Sequence, residues 1–330
     1  MKKILMIATG GTIACRRTES GLKPLLDSDE LLKYVPAVGE VCKADTLQLY
    51  NLDSTDIRPH HWLGIAKAVR DNYESYDGFV ITHGTDTMAY TAAALSYLLL
   101  SSPKPVVITG AQKPVDMENT DARINLYDSF VYVSDDKSAG VHIVFDGRVI
   151  LGTRAKKTRT KSYNAFSSIN YPAVASVSEG EVRHYIVPEK GERCFYDTLN
   201  TRVSVCTLAP SMDSGALRYM LANSDAVIIE TYGVGGIPAE GGFADAISEG
   251  VKNGVTVVIT TQVLNEGSDM SVYLVGKEIK EDLGLLEAYD MTHEAALAKL
   301  MWILARYTKR EDIVREFYTP RNFDIYNKVR

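Results

Sequence analysis

Residues 2–14 read KKILMIATGGTIA and residues 80–94 read VITHGTDTMAYTAAA. Both stretches have the form of an apolar strand, then glycine and threonine, then a helix former. In an open α/β sheet, the loops that leave the carboxyl ends of strands meet in one crevice. We therefore expect Thr12 and Thr85 to face each other, with Asp86 and backbone amides around the same small volume. Such an arrangement suits attack on a carbonyl carbon.

Apolar runs that are typical of buried strands alternate with helical stretches in the first half of the chain. The predicted strands are 3–8, 46–50, 78–82, 105–109 and 141–145, and the predicted helices are 29–34, 60–75, 87–100 and 120–133. Alternation at this spacing predicts crossover units and an α/β fold with a mostly parallel sheet flanked by helices. Residues 10–26 are expected to form a loop rather than a helix.

The length of 330 residues favours two domains, because one core rarely grows that large. Residues 1–183 are predicted to form the larger, catalytic N-terminal domain. The stretch 184–202 mixes proline, glycine and charge, and it is predicted to be a linker. Strand and helix patterns then alternate again, so residues 203–330 are predicted to form a smaller C-terminal α/β domain.

The net charge of -6 argues against a nucleic acid partner, because phosphates are bound by clustered lysine and arginine. One basic cluster, residues 154–161, is the local exception. We expect it to be a solvated loop, apart from one lysine that is considered below.

The cysteine pattern and the lack of long apolar segments indicate a cytoplasmic protein. The four cysteines show no CxxC spacing, which suggests a reducing compartment. The apolar run at the N-terminus is short and enters a glycine turn at once, unlike a signal peptide. No stretch approaches the roughly 20 apolar residues of a membrane span.

The glycine turn and the HGTDT segment each allow a purely structural interpretation. As a dinucleotide fingerprint the first lacks its third glycine, and the chain contains no GK[ST] sequence for a phosphate loop. A tight turn whose glycines permit positive φ remains open. Thr85 or Asp86 alone could be a helix cap. The occurrence of hydroxyl, carboxylate and glycine at two strand ends goes beyond what capping explains.

A threonine nucleophile needs a base, and the sequence offers lysine more readily than histidine. His83 is expected to pack or bond at its turn, while His60 and His61 have no metal-ligand partners at useful spacing. A lysine serves as a base if burial lowers its pKa. Lys156 and Lys157 both follow an apolar strand and turn, and both are candidates.

Five ordered motifs resemble those of the bacterial-type L-asparaginases, and the last resembles the cytoplasmic type I branch. The motifs are TGGTI, HGTDTMAYTA, TGAQKP at 109–114, GTRAKKT at 152–158 and DMTHEAALAKL at 290–300. The resemblance implies that Thr12 is the nucleophile that forms an acyl-enzyme. It also implies that Thr85, Asp86 and Lys157 form the second triad, with Lys156 as a neighbour.

The same resemblance implies hydrolysis of L-asparagine without a cofactor or a metal, and it leaves L-glutamine open as a second substrate. Ser54 matches the residue that holds the α-carboxylate, with Asp53 supporting its loop, and Asp86 would receive the α-ammonium group. The implied substrate contacts are Gly11, Asp53, Ser54, Thr85, Asp86, Ala111 and Gln112. Backbone amides near Gly11 and Thr85 are expected to stabilise the oxyanion.

One position departs from the family pattern. The first loop of the family carries a tyrosine that contacts the nucleophile, and Leu22 occupies its place here. Tyr273 is the predicted replacement, although a packed aromatic is an equal alternative. The resemblance implies a homo-oligomer, a dimer or a dimer of dimers, in which the C-terminal domain completes a neighbour's site. Asn265 and Ser268 are weaker candidates for that completion.

Two other functions remain open from the sequence. The asparaginase-like component of an archaeal tRNA-dependent amidotransferase shares these motifs, but it has an additional N-terminal domain, whereas the nucleophile turn begins here at residue 8. A binding or regulatory protein could also use the same crevice without turnover. The presence of Thr12, Thr85, Asp86 and Lys157 together favours an enzyme.

Overall fold

The computed structural model describes residues 1–18, 21–188 and 190–326. The chain divides into two compact units, the first of which is Met1–Asp197 and the second of which begins at Thr198. Within the stretch predicted to be a linker, the short strand Cys194–Phe195 pairs with Leu99–Leu100 of the first unit. The proposed domain boundaries at 183 and 203 stay predictions.

The N-terminal unit consists of strands and helices that alternate through most of its length. Its strands are β1 (Lys3–Gly10), β2 (Cys15–Thr18), β3 (Gly21–Pro24), β4 (Lys43–Leu52), β5 (Gly78–Thr82), β6 (Leu99–Leu100), β7 (Pro105–Thr109), β8 (Gly140–Phe145), β9 (Arg148–Leu151), β10 (Ala155–Lys157), β11 (Phe166–Ser168), β12 (Ala175–Ser178), β13 (Glu181–His184) and β14 (Cys194–Phe195). Its helices are α1 (Ser28–Lys33), α2 (Val38–Val41), α3 (Pro59–Asp71), α4 (Met88–Leu98) and α5 (Ala122–Ser134).

The main sheet has the strand order β13-β12-β9-β8-β7-β5-β1-β4. The strands from β8 to β4 in this order are parallel, and β9, β12 and β13 continue the sheet in antiparallel pairs. The mostly parallel sheet predicted from the sequence is therefore confirmed. It places the carboxyl ends of β1, β4, β5 and β7 at one edge, where the candidate site lies.

The apolar strands are buried because helices cover the sheet, which is the usual condition of parallel strands. Val80 and Val107 lie in one core cluster with Leu126 and Phe130 of α5. Helix α4 is apolar on nearly all sides, and its residues from Thr91 to Leu98 are buried. The strands that carry the site are thus held by a close-packed interior.

Two local expectations for this unit are wrong. Residues 10–26 are not a plain loop, because β2 and β3 form an antiparallel hairpin within them. The basic cluster is not fully solvated either, since Arg154 is 0% exposed and its guanidinium lies 5.6 Å from the ring centre of Tyr171. Hydrogen bonding within a pair of strands and stacking of a guanidinium on an aromatic face stabilise these two arrangements.

The C-terminal unit is a smaller α/β structure, as predicted. Its strands are β15 (Val203–Thr207), β16 (Ala226–Thr231), β17 (Thr256–Thr261) and β18 (Leu286–Glu287), and they are parallel in that order. Its helices are α6 (Gly215–Asn223), α7 (Phe243–Lys252), α8 (Leu274–Leu283), α9 (His293–Leu304) and α10 (Arg310–Tyr318). Thr292 caps α9, because its hydroxyl accepts a hydrogen bond from the backbone N–H of Ala295 at 3.1 Å.

Several negative findings hold for the described ranges of the chain. None of the helices found there is long and apolar enough to cross a membrane. The same ranges contain no group of three or more His, Cys, Asp or Glu side chains arranged to hold a metal ion. The four cysteines are free thiols, and only Cys194 is exposed.

Candidate active site

The first turn of the site follows β1 and depends on two glycines. Gly10 and Gly11 have φ values of 103° and 81°, a region that other residues rarely adopt. Gly11 donates its N–H to the carbonyl of Leu52 at 2.9 Å, which fastens the turn to the end of β4. Thr12 then begins the 3-10 turn Thr12–Ala14, and its side chain is partly exposed.

The second turn follows β5 and touches the first. A Cβ atom placed on Gly11 would lie 2.3 Å from the backbone nitrogen of Gly84, so only glycine allows this approach. Gly84 precedes Thr85 directly, just as Gly11 precedes Thr12. The structure therefore brings together the two turns that carry the predicted threonines, although they lie far apart in the sequence.

Ser54 lies at the same point, at the end of β4. Its hydroxyl oxygen is 2.7 Å from the position that a Cβ atom on Gly84 would occupy, so Gly84 also makes room for Ser54. The backbone N–H of Asp86 donates to Ser54 Oγ at 3.3 Å, and Thr87 Oγ1 donates to the carbonyl of Ser54 at 2.7 Å. The buried Ser54 side chain is thus part of the Thr85 turn.

Asp53 and Cys15 support these turns. Asp53 Oδ1 accepts from the backbone N–H of Thr55 at 2.9 Å and caps the 3-10 turn Ser54–Asp56. The Cys15 thiol donates to the carbonyl of Gly11 at 3.4 Å. Burial, with a smaller contribution from the charge of Asp53, raises the pKa of Cys15 to about 11, so this thiol stays protonated at neutral pH.

Lys157 joins the site from β10. Its Nζ donates to Thr85 Oγ1 and to Asp86 Oδ1, at 2.7 Å in both cases. The lysine side chain is 16% exposed, whereas the Asp86 side chain is 58% exposed. The amine end is therefore enclosed and the carboxylate faces solvent. Lys156 is the preceding residue of the same strand, and neighbouring side chains of a strand point to opposite faces.

Gln112 completes a hydrogen-bonded chain through Thr85. Thr85 Oγ1 donates to Gln112 Oε1 at 3.2 Å, and Gln112 Nε2 donates to the carbonyl of Ser162 at 3.2 Å. Ala111, the preceding residue, is buried at the end of β7. The order Lys157, Thr85, Gln112, Ser162 connects three segments that are distant in sequence.

His83 is a structural residue of the second turn. It is 0% exposed, its Nδ1 lies 2.7 Å from the carbonyl of Gly84, and its Nε2 lies 2.9 Å from Thr91 Oγ1. Trp62 Nε1 donates to the same Thr91 oxygen at 3.0 Å. Because a carbonyl only accepts, the proton of the neutral ring sits on Nδ1. Burial lowers the pKa of His83 to about 4, so the ring is neutral near pH 7.

The remaining predicted residues belong to the C-terminal unit. Tyr273 follows the 3-10 turn Met270–Val272 of the C-terminal unit, and its side chain is 66% exposed. It lines a cavity of about 200 Å³ together with Val234 and Ile237. Asn265 is exposed and Ser268 is buried in the same unit. The predicted contributions of these residues to catalysis stay predictions.

The substituted tyrosine position is Leu22 in β3, and its side chain falls outside the described part of the structure. Sequence reasoning also missed residues that support the site without belonging to its motifs. These are Trp62 and Thr91 behind His83, and Thr120, Asp121 and Asn125 beside Gln112. Asp121 and Asn125 are four residues apart at the start of a helix, which is the signal that could have found them.

Comparison with protein families covers both units. Residues 3–189 match the family described as Asparaginase, N-terminal, and residues 202–317 match the Glutaminase/Asparaginase C-terminal domain. The chain is 40% identical over 315 residues to a protein named L-asparaginase from Thermococcus kodakarensis, covering 94% of this chain and 95% of that one. It is 32% identical to L-asparaginase 1 of Escherichia coli, covering 94% of each chain.

A solved structure and one amidotransferase subunit are also similar to this chain. The solved structure of the thermostable L-asparaginase from Thermococcus kodakarensis superposes with a TM-score of 0.92 and 37% identity, covering 99% of this chain and 100% of that chain. One component of the glutamyl-tRNA(Gln) amidotransferase from Sulfurisphaera tokodaii is 32% identical, covering 94% of this chain and 72% of that protein. The chain belongs to the asparaginase family, in the branch of the type I bacterial L-asparaginases.

Proposed function

We propose that this protein hydrolyses L-asparagine to aspartate and ammonia through an acyl-enzyme formed on Thr12. The observation that carries the proposal is the hydrogen-bonded chain from Lys157 through Thr85 to Gln112, beside the glycine turn that presents Thr12. A lysine, a threonine and a second threonine at converging strand ends supply a nucleophile and a route for its proton.

The polarity of the site suits a free amino acid. Asp86 offers an exposed carboxylate to the α-ammonium group of the substrate. Ser54 Oγ accepts from the backbone N–H of Asp86, so its own proton is available to the α-carboxylate. Opposite charges at the two ends of a zwitterion fix its direction, and they would present the side-chain amide carbon to Thr12.

The proposed reaction has two balanced halves. Thr12 Oγ attacks the amide carbon, and its proton passes through Thr85 to Lys157, the proposed general base. That proton then leaves with the amide nitrogen, which departs as ammonia and leaves an ester on Thr12. A water molecule attacks the ester and loses a proton along the same route, and that proton returns to Thr12 Oγ as the ester bond breaks and aspartate is released. The backbone N–H groups of Gly11 and Thr85 are the proposed oxyanion donors.

The proposal extends to features that the sequence predicted. The hydroxyl of Tyr273 would take the place of the loop tyrosine that Leu22 replaces, within a homodimer or a dimer of dimers. The four free thiols support the proposed cytoplasmic location. L-Asparagine is the proposed main substrate, and L-glutamine adds one methylene, which changes binding by about 1 to 3 kcal/mol.

Ammonia release tests the proposal. The purified protein receives L-asparagine and L-glutamine in parallel, with and without hydroxylamine, which attacks the ester on Thr12 and yields an aspartyl hydroxamate. We expect ammonia from asparagine, a slower release from glutamine, and the hydroxamate only while the enzyme turns over. A folded protein that releases no ammonia from either amino acid would contradict the proposal and favour a binding role.

A further inference from the structure

The buried carboxylate of Asp121 binds the backbone of the loop that carries Gln112. Both oxygens of Asp121 accept from the backbone N–H of Gln112, at 3.1 and 2.9 Å, and one of them accepts from the backbone N–H of Lys113 at 3.1 Å. The residue is 4% exposed. These bonds hold the backbone of the loop, while the side chain of Gln112 contacts Thr85.

Two more side chains of the same segment hold the loop. Asn125 Nδ2 donates to the carbonyl of Gly110 at 3.0 Å, and Thr120 Oγ1 donates to the carbonyl of Lys113 at 3.0 Å. Asn125 Oδ1 also accepts from the backbone N–H of Asp146 at 2.9 Å, which ties the loop to the turn after β8. We call Thr120, Asp121 and Asn125 the α5 clamp.

The α5 clamp does more than cap the start of a helix. Asp121 occupies the N-cap position of α5, where an aspartate normally accepts from its own helix, yet among the described residues its side chain makes no such cap bond. Its hydrogen bonds go to the neighbouring loop and to Asn125. A buried carboxylate is costly unless it is well bonded, and here the loop supplies most of the donors.

The orientation of the Gln112 amide follows from its partners. The carbonyl of Ser162 can only accept, so the nitrogen of the amide faces Ser162 and the oxygen faces Thr85. An amide oxygen also only accepts, so the Thr85 hydroxyl must donate to it. Lys157 in turn donates to Thr85. Gln112 therefore holds Thr85 Oγ1 in its rotamer in the resting site, and the Thr85 proton must turn from Gln112 towards Lys157 for the proposed transfer.

We infer that the α5 clamp positions Gln112, and that Gln112 positions the Thr85 hydroxyl for proton transfer. Asp121 is then a positioning residue, acting on the reaction only through Gln112. This inference rests on the proposed function. It adds residues and a role for the Gln112 side chain to the substrate contact that the family resemblance implies.

The first variant is Gln112→Met, which keeps the length of the side chain and removes the acceptor for Thr85. We expect kcat to fall about 10- to 100-fold, the scale of a misplaced catalytic group. KM for asparagine should rise by a smaller factor than kcat falls, because the substrate contact of Gln112 is lost while Asp86 and Ser54 would still hold the two ends of the substrate. The Asp121→Asn variant should lower kcat by a smaller factor, about tenfold.

A double-mutant cycle tests whether Asp121 acts through Gln112. If it does, the Gln112→Met/Asp121→Asn variant is no slower than Gln112→Met alone, since the side chain that the clamp would position is already gone. Independent losses would multiply instead. A merely structural role for Asp121 would change the thermal midpoint but would not produce this pattern in kcat.

Two further variants keep the test decisive. Ser129→Ala is the matched control, because Ser129 is a buried residue of the same helix that donates to the carbonyl of Asn125 at 2.6 Å rather than to the loop. It should leave kcat unchanged. Thr120→Val preserves side-chain shape and removes two bonds, the one to the carbonyl of Lys113 and the one from the backbone N–H of Ala122. If Asp121→Asn does not fold, Thr120→Val takes its place in the same cycle.

The outcomes separate this inference from the proposed function. Wild-type kcat and KM in Gln112→Met, or multiplicative losses in the cycle, would overturn the inference while turnover by the wild-type protein upheld the function. A wild-type protein that releases no ammonia would defeat the proposed function itself. In that case the backbone contacts of the clamp remain, and the catalytic meaning assigned to them is wrong.

Discussion

Each unit of this protein contains a lysine–carboxylate pair with the same distance and a different setting. Lys157 Nζ lies 2.7 Å from Asp86 Oδ1 in the N-terminal unit, with the carboxylate 58% exposed. Lys299 Nζ lies 2.7 Å from Asp324 Oδ2 in the C-terminal unit, and both side chains are 0% exposed.

The bonds around the two pairs differ as much as their exposure. Lys299 also donates to the carbonyl of Thr319 at 2.9 Å, and Asp324 accepts from the backbone N–H of Arg321 at 2.9 Å. Those partners are backbone groups that fasten the end of the chain. Lys157 instead donates to the hydroxyl of Thr85, a group that can pass on a proton. The distance between the charged atoms therefore does not distinguish the proposed catalytic pair from the buried one, and the two pairs differ instead in exposure and in the third partner of the lysine.

The largest expected effect comes from Lys157→Met, which removes the proposed general base and keeps much of its volume. We expect kcat for asparagine to fall about 1,000-fold, because a positioned acid–base group contributes 10²- to 10⁴-fold. The thermal midpoint should hardly change, since Asp86 remains hydrated. Ammonia release per mole of folded protein measures the first quantity and calorimetry the second. Near-normal turnover would remove Lys157 from the catalytic account.

Lys299→Met should show the reverse pattern. It leaves Asp324 buried without its cation, which costs about 3 to 5 kcal/mol in the free energy of unfolding. Turnover per folded molecule should stay at the wild-type value. Urea unfolding monitored by circular dichroism measures the loss, and Lys299→Met/Asp324→Asn should recover part of it. A fall in kcat as large as that of Lys157→Met would break the distinction between the two pairs.

Asp128 contrasts with Asp324, because its charged neighbour is another carboxylate, Asp146, rather than a lysine. Burial, and then the charge of Asp146, raises its pKa from 3.8 to about 7. Between about pH 4 and pH 7, Asp128 is ionised in the unfolded chain but still protonated in the folded protein. The free energy of unfolding therefore falls as pH rises through this range. Asp128→Asn should therefore be more stable than wild type at pH 8, by up to about 4 kcal/mol, and equal at pH 3.

Thermal unfolding at pH 3, pH 5.5 and pH 8 measures this difference. The predicted gain grows with pH and then levels off above about pH 7. A variant that is less stable than wild type at pH 8 would mean that the ionised Asp128 has a stabilising role and that burial is not its dominant environment.

The smallest expected effect concerns Tyr273, an exposed side chain outside any charged pair. Tyr273→Phe should lower kcat by about three- to tenfold if the hydroxyl assists Thr12, a difference of about 1 kcal/mol in the barrier. Stability should change by less than about 0.5 kcal/mol, as for most surface substitutions. Steady-state kinetics measures this effect, and unaltered kcat and KM would contradict a catalytic role for the Tyr273 hydroxyl.

The fold was predictable where one pattern dominates the local sequence. β1, β5 and β7 are continuous apolar runs, and parallel strands must place their following loops at one edge. That geometry alone predicted that the Thr12 and Thr85 turns would meet. The β2–β3 hairpin was missed because its residues are polar and lack a strong strand alternation.

The site was predictable only in part. The residues left Lys156 and Lys157 equivalent, and only the alternation of β10 makes one of them face Thr85. Arg154 looked solvated because a run of charge gives no sign of an aromatic ring arriving from another segment. The α5 clamp has one sequence signal, the spacing of Asp121 and Asn125, but most of its partners are backbone groups, which carry no sequence signature.

The most direct test of the whole account is ammonia release from L-asparagine by wild-type protein and Thr12→Ala at equal folded concentration. The account predicts that the variant loses at least about 1,000-fold in rate, the scale of a lost nucleophile, while its thermal midpoint matches that of the wild type. Wild-type turnover by a folded Thr12→Ala protein would contradict it, because no other role assigned to the site would then account for the chemistry.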